Sequence, residues 1–215
     1  MKLAELDFER PAELAATRPA EFRGRQRGEG RLMVTTRATH EHHRFYELPD
    51  ILRSGDLLVV NRSAKLPASL PAYNEVVGTF TLNLSTHYGK NLWLAEPRWS
   101  YSEPGPLPFS GGEEISVSGI AGKMLSSFPG LSRLWFVQFE DGLEAVMASC
   151  GMPIRYGYLD DRYPLTSYQT IFADCPGSAE MPSAGYPFTQ VLVEQLSARG
   201  VGIAKITLHT GVSSL

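Results

Sequence analysis

From residue 76 to 139 apolar and polar positions alternate in short runs, VVGTFTLNLSTHY, LWLAEPRW, EEISVSG, GKMLSSF and SRLWFVQF. Pro104-Gly105, Gly111-Gly112 and Pro129-Gly130 separate them. A period of two broken by turn residues predicts a set of antiparallel strands closed as a barrel or sandwich. The pattern outside this stretch is different. Residues 31–37 (RLMVTTR) and 56–61 (DLLVVN) read as strands, with a short helix at 48–52 between them. Residues 11–16 and 143–149 read as short helices. The longest helical pattern lies at 187–199 (PFTQVLVEQLSAR), where Val191, Leu192 and Leu196 share a face, Pro187 sits in the first turn and Gly200 is the stop. A strand at 203–209 follows, with Lys205, Thr207 and His209 on its semi-polar side. This order predicts a discontinuous α/β domain, 1–72 and 143–215, interrupted by a β insert at 73–142.

Composition supports a globular chain: 43% hydrophobic and 20% charged residues, with 20 Gly and 15 Pro matching many short strands and turns. A net charge of -3 argues against a general polyanion binder, but the charge is uneven. Residues 1–44 hold nine basic against seven acidic side chains, and the remainder eleven against sixteen. Arg23, Arg25 and Arg27 alternate with Gly24, Gln26 and Gly28, so this loop has no apolar face and is expected to be solvated or wrapped on a partner. Cys150 and Cys175 match neither a zinc spacing nor a secreted disulfide framework. No apolar run reaches membrane-spanning length, and acids rather than a signal peptide follow Met1, so the expectation is a cytoplasmic protein.

The group His40, Glu41, His42, His43 invites a metal reading, but neighbouring side chains on one segment diverge while zinc needs a convergent set. A polar turn without metal is expected there. Phosphate loops, dinucleotide fingerprints, nucleophile elbows and HExxH helices are all missing. What remains is the glycine-rich turn 176–185 (PGSAEMPSAG). Its small residues let a ligand approach the backbone, and it opens onto the helix start at Pro187, where unsatisfied N–H groups suit an anion. Trp93, Trp99 and Tyr101 read as packing inside the β insert, with base stacking as the alternative.

Several stretches together resemble the S-adenosylmethionine:tRNA ribosyltransferase-isomerase family of queuosine biosynthesis. The amino-terminal block is carried by Arg31-Leu32, His42, Phe45, Glu47-Leu48-Pro49 and residues 55–61 (GDLLVVN). The second block is carried by 168–173 (YQTIFA), Gly177-Ser178, 182–185 (PSAG), Phe188-Thr189, Leu208-His209 and Gly211. The resemblance implies a discontinuous mixed α/β domain with an inserted antiparallel β-barrel domain. It also implies S-adenosylmethionine as a consumed co-substrate and tRNA, at its anticodon loop, as partner. Asn61, Gly177, Ser178, Pro182, Ser183, Ala184, Gly185, Phe188 and Thr189 are then the expected contacts to the co-substrate. His209 and Lys205 are the acid/base candidates, and Arg23, Arg25, Arg27 and Arg31 the tRNA-backbone candidates.

The chain departs from the family pattern on polar positions. Where the family reads Asn-Asp-Thr-Arg-Val-x-Pro-Ala-Arg-Leu, residues 61–70 read NRSAKLPASL, so an acid becomes Arg62 and two arginines become Ala64 and Ser69. Lys65 is the candidate stand-in for the missing arginine, without its bidentate fork. A family histidine is replaced by Pro187, and the resemblance ends at Leu215 where family members continue. Three functions fit this pattern: an active ribosyltransferase-isomerase, a divergent nucleoside enzyme, and a non-catalytic RNA- or protein-binding module.

Overall fold

The computed structural model describes residues 7–9, 11–155 and 157–212; Leu215, where the resemblance ends, lies outside them. Strands β1 (Arg31–Thr35) and β2 (His40–Arg44) pair as an antiparallel hairpin, and helix α1 (Leu48–Ile51) leads to β3 (Leu57–Asn61) and β4 (Ser63–Lys65). The alternating region then forms β5 (Ser69–Asn74), β6 (Gly78–His87), β7 (Leu92–Arg98), β8 (Glu114–Val117), β9 (Ile120–Phe128) and β10 (Leu131–Phe139). These close into a barrel in the order β10-β7-β6-β5-β8-β9, every pair antiparallel. Helix α2 (Leu143–Cys150), β11 (Cys175–Ser178), helix α3 (Gln190–Ala198) and β12 (Gly202–Ile206) complete the chain. The last two strands return to the first segment: β12 pairs parallel with β3, and β11 parallel with β4. The molecule is therefore a mixed α/β framework interrupted by an antiparallel barrel.

Alternation fills the barrel. Leu70, Leu82, Leu84, Val117, Met124 and Val137 point inward with 1% exposure or less. Fully burying such a side chain is worth about 1.5–3 kcal/mol. The wall also holds a buried carboxylate, Glu96, bound by Arg133 at 2.6 Å and Arg98 at 3.3 Å. A second core joins the two halves of the framework: Val60 from β3 packs with Phe172, Phe188, Leu192, Leu196 and Val201 from the returning segment. Phe188 lies edge-on to Phe45 and Phe172, with ring centroids 5.0 and 5.3 Å away.

The differences from the sequence reading have local causes. Helix α3 begins after Thr189, whose hydroxyl accepts from the Leu192 N–H at 3.2 Å, so Pro187 and Phe188 precede the helix and Phe188 is free to enter the core. Strand β12 stops at Ile206 because the next backbone groups bond to side chains: Leu208 N–H donates to Asn61 and Thr210 N–H to Ser178. The histidine group is a strand rather than a turn, since residues 40–44 find a partner in β1. Residues 11–16 form only one 3-10 turn, Ala12–Leu14, with Leu14 61% exposed and therefore no apolar face to hold a longer helix. Trp93 is buried at 4% exposure, as packing inside the insert requires, whereas Trp99 and Tyr101 are about two-fifths exposed.

Candidate active site

The two parallel pairs bring the ends of β3, β4 and β11 against the segment that follows β12. Asn61 holds this junction by its amide. Its oxygen accepts from Leu208 N–H at 3.0 Å and Ser63 N–H at 3.1 Å, while its nitrogen donates to the Leu208 carbonyl at 2.7 Å. Two fully buried serines lie below. Ser63 Oγ and Ser178 Oγ are 2.5 Å apart, and Ser63 Oγ hydrogen-bonds His209 Nδ1 at 2.7 Å. Ser178 Oγ also accepts from Thr210 N–H at 3.0 Å, and the Thr210 hydroxyl donates to the Glu180 carbonyl at 2.6 Å. Hydrogen bonds linked in this way fix a side chain more tightly than an isolated contact.

Two glycines admit this packing. A Cβ at Gly177 would stand 2.3–2.6 Å from three atoms of the His209 ring, so only glycine lets the imidazole rest there. A Cβ at Gly211 would meet Ser85 Oγ at 2.8 Å, the same hydroxyl that accepts from Val212 N–H. The His209 ring is thus seated on Gly177 with Nδ1 committed to Ser63.

His209 and Gly177 line a cavity of about 520 Å³ between the framework, the barrel and α2. This volume lies within the range of about 300–1,000 Å³ usual for small-molecule sites. Its barrel wall carries His87 stacked on Trp93, centroids 4.5 Å apart and planes 9° from parallel, a flat surface of the kind a purine covers. Helix α2 contributes Glu144 and Met147, and Leu66 and Pro67 supply an apolar edge. The lining therefore combines a flat aromatic face, an imidazole, a carboxylate and hydroxyls.

The remaining sequence candidates scatter around this cavity. Lys65 is 2% exposed and lines a separate cavity of about 350 Å³, its ammonium donating to the Ile154 carbonyl at 3.0 Å and lying 4.5 Å from the Tyr168 ring centroid. Burial pulls its pKa down to about 8, against the opposing pull of Glu180. Lys205 is exposed and donates to Asp174 at 3.1 Å; with Arg62 on the other carboxylate oxygen, the two cations hold Asp174 below the usual carboxylate range. Ser183 lines the Lys65 cavity with Tyr186, Gly185 packs against Thr170, Pro182 is half-buried, Ala184 is exposed, and Thr189 caps α3. The glycine-rich turn thus divides, with Pro176 and Gly177 lining the His209 cavity, Ser178 buried behind it and Ser183 at the neighbouring one.

Of the arginines, Arg23, Arg25 and Arg31 are exposed, Arg25 in a shallow depression beside Glu29, Arg44 and Tyr46. Arg27 is turned inward. Its guanidinium donates to the Gln169 and Thr166 carbonyls, pairs with Glu21, and lies 4.4 Å from the Tyr186 centroid.

Sequence reasoning missed Ser63, Ser85, His87, Trp93 as a cavity wall, and Glu144. His87 and Trp93 become neighbours only through the β6–β7 register, which sets them directly opposite each other. Ser63 and Ser178 meet only through the β4–β11 pairing, across 115 positions of sequence.

Comparison with known proteins then places the chain. The model of the family described as queuosine biosynthesis protein matches residues 3–215. The chain belongs to that family. Among curated relatives, the S-adenosylmethionine:tRNA ribosyltransferase-isomerase of Desulfitobacterium hafniense is 34% identical over 219 residues, covering all of this chain and 62% of the relative. That of Thermotoga maritima is 32% identical over 216 residues, covering all of this chain and 61% of the relative. The chain thus spans about three-fifths of the length of the relatives it matches. The crystal structure of the S-adenosylmethionine tRNA ribosyltransferase from Thermotoga maritima aligns with 96% of this chain and 58% of that one, at 24% identity and a TM-score of 0.37. This family member has, among its described residues, no helix long and apolar enough to cross a membrane.

Proposed function

We propose that this chain carries the S-adenosylmethionine-binding part of a ribosyltransferase-isomerase acting on tRNA. The observation that carries the reading is the His209 cavity: an imidazole oriented by Ser63, seated on Gly177, facing a space with an aromatic wall. In the proposed reaction the ribosyl moiety of S-adenosylmethionine is transferred to a 7-aminomethyl-7-deazaguanine base and isomerised to an epoxycyclopentane, releasing adenine and methionine. The His87–Trp93 face stacks the adenine. His209 takes the proton from the ribose carbon beside the sulfonium, and its hydrogen bond to Ser63 holds the ring in position for that transfer. Glu144 attracts the cationic sulfonium or methionine ammonium. Exposed Arg23, Arg25 and Arg31 neutralise tRNA phosphates.

The test is incubation of the purified protein with S-adenosylmethionine, with and without precursor tRNA, followed by mass spectrometry for adenine, methionine and the modified base. Adenine and methionine released in step with tRNA modification are expected. Binding of S-adenosylmethionine without adenine release in the presence of tRNA would overturn the reaction and leave only the binding site.

A further inference from the structure

A second groove, of about 580 Å³, lies on the other side of α2 and is unused by this reading. Its floor is the outer face of barrel strands β5 and β6, including Ser69, Thr79 and Thr81. Trp99 and Tyr101, on the connection after β7, form one wall, and Arg155 and Arg162 the other. Trp99 is 41% and Tyr101 40% exposed, unusual for large aromatics that have a barrel interior available to them. The Arg155 guanidinium lies 4.3 Å from the Tyr101 centroid and that of Arg162 5.9 Å away.

Asp161 accepts the Arg162 backbone N–H at 2.7 Å rather than its guanidinium. Among the described residues neither arginine forms an ion pair, and the neighbouring Asp160 is occupied by Arg18 and the Tyr163 hydroxyl. Arg155 donates through Nη2 to the Leu159 carbonyl at 2.7 Å, but its Nε is buried and has no partner among the described residues. Two unneutralised guanidinium groups beside two half-exposed aromatic rings match one chemistry, a phosphate next to a planar base. An acidic protein surface would satisfy the arginines and leave the rings unused.

We infer that this groove binds a single-stranded segment of RNA, with a base stacked at Trp99 and Tyr101 and phosphates on Arg155 and Arg162. Helix α2 ties it to the first cavity: Met147 and Ala148 line the His209 side while Cys150 lines the groove. A loop strand held here lies one helical turn from the proposed ribosyl-transfer site. The inference rests on tRNA being the substrate, and it deepens that reading by fixing where the loop runs.

The test is fluorescence anisotropy with a fluorescein-labelled single-stranded RNA heptamer, and with an RNA duplex of the same length, over a salt series. The double variant Arg155→Gln/Arg162→Gln is compared with Arg53→Gln/Lys123→Gln, which removes the same charge from exposed positions outside the proposed RNA path. The expected result is preference for the single strand and a loss of at least tenfold in the groove variant. Its salt slope should be shallower by about 1.4, from about 0.7 per phosphate contact on a single strand. Quenching of tryptophan emission by the heptamer, abolished in Trp99→Leu, is expected as well. Equal binding by wild type and groove variant, an equal loss in the Arg53/Lys123 variant, or no heptamer binding at all would overturn the inference. Circular dichroism confirms that each variant is folded. Adenine release from S-adenosylmethionine is read separately, so failure of the groove and failure of the enzyme reading remain distinguishable.

Discussion

Lys65→Met should make this protein more stable at neutral pH. Lys65 lies in β4 at 2% exposure, and burial lowers its pKa from 10.5 to about 8. The unfolded chain keeps this proton up to about pH 10.5 while the folded chain releases it near 8, so the unfolded state binds more protons between the two. Stability therefore rises with pH across that window, and the full cost of holding the charged amine is felt below pH 8. A gap of about 2.5 in pKa, at about 1.4 kcal/mol each, puts that cost near 3 kcal/mol. Methionine keeps the length and removes the charge, but it leaves the Ile154 carbonyl without the donor 3.0 Å away, a loss of about 1–2 kcal/mol. The variant should then be about 1–2 kcal/mol more stable at pH 7. The measurement is urea unfolding followed by tryptophan fluorescence from pH 7 to 10.5, read as the difference between variant and wild type so that other titrating groups cancel. That difference should fall by about 3 kcal/mol across the range. A difference that stays flat with pH would refute the reasoning, because it would mean Lys65 carries no buried-charge penalty.

Gly177→Ala forces the His209 ring away from its seat, since the added methyl would lie 2.3 Å from the imidazole, and it strains the backbone at φ +156°, so adenine release per folded protein should fall by about 100-fold and the melting temperature should drop as well. Ser63→Ala removes the partner of His209 Nδ1 while keeping Gly177, and should lower the rate constant more than the affinity for S-adenosylmethionine measured by calorimetry. Glu96→Ala leaves Arg98 and Arg133 facing each other in the barrel wall and should cost about 3–5 kcal/mol in urea unfolding. Thr189→Ala removes the α3 cap and should cost about 1 kcal/mol, read by thermal denaturation.

The legible parts of this molecule are those in which one local pattern has one physical solution. Period-two alternation with glycine and proline between the runs predicts the strands at 76–139 because each strand must hide one face, and Leu82, Leu84 and Val137 hide theirs. The face bearing Leu192 and Leu196 predicts α3 for the same reason at a period of 3.6, although its first residue is set by a hydroxyl cap rather than by Pro187. Residue types at Gly177, Ser178 and His209 mark a candidate site before any coordinates are known. The distances that make it a site depend on pairings far apart in sequence. β4 meets β11 and β3 meets β12 across the whole intervening barrel sequence, and these pairings decide that His209 rests on Gly177 and bonds Ser63. They also separate Lys65 from His209 into different cavities and turn Arg27 inward while Arg23, Arg25 and Arg31 stay outside. By itself, the sequence determined the barrel strands, helix α3 and which polar residues are available for chemistry, because those follow from short-range sterics and burial, but not β2, β4 and β11, which exist only through their partners. Only the tertiary structure decided which of those residues meet, because non-local strand pairing places groups more than a hundred positions apart within hydrogen-bond reach.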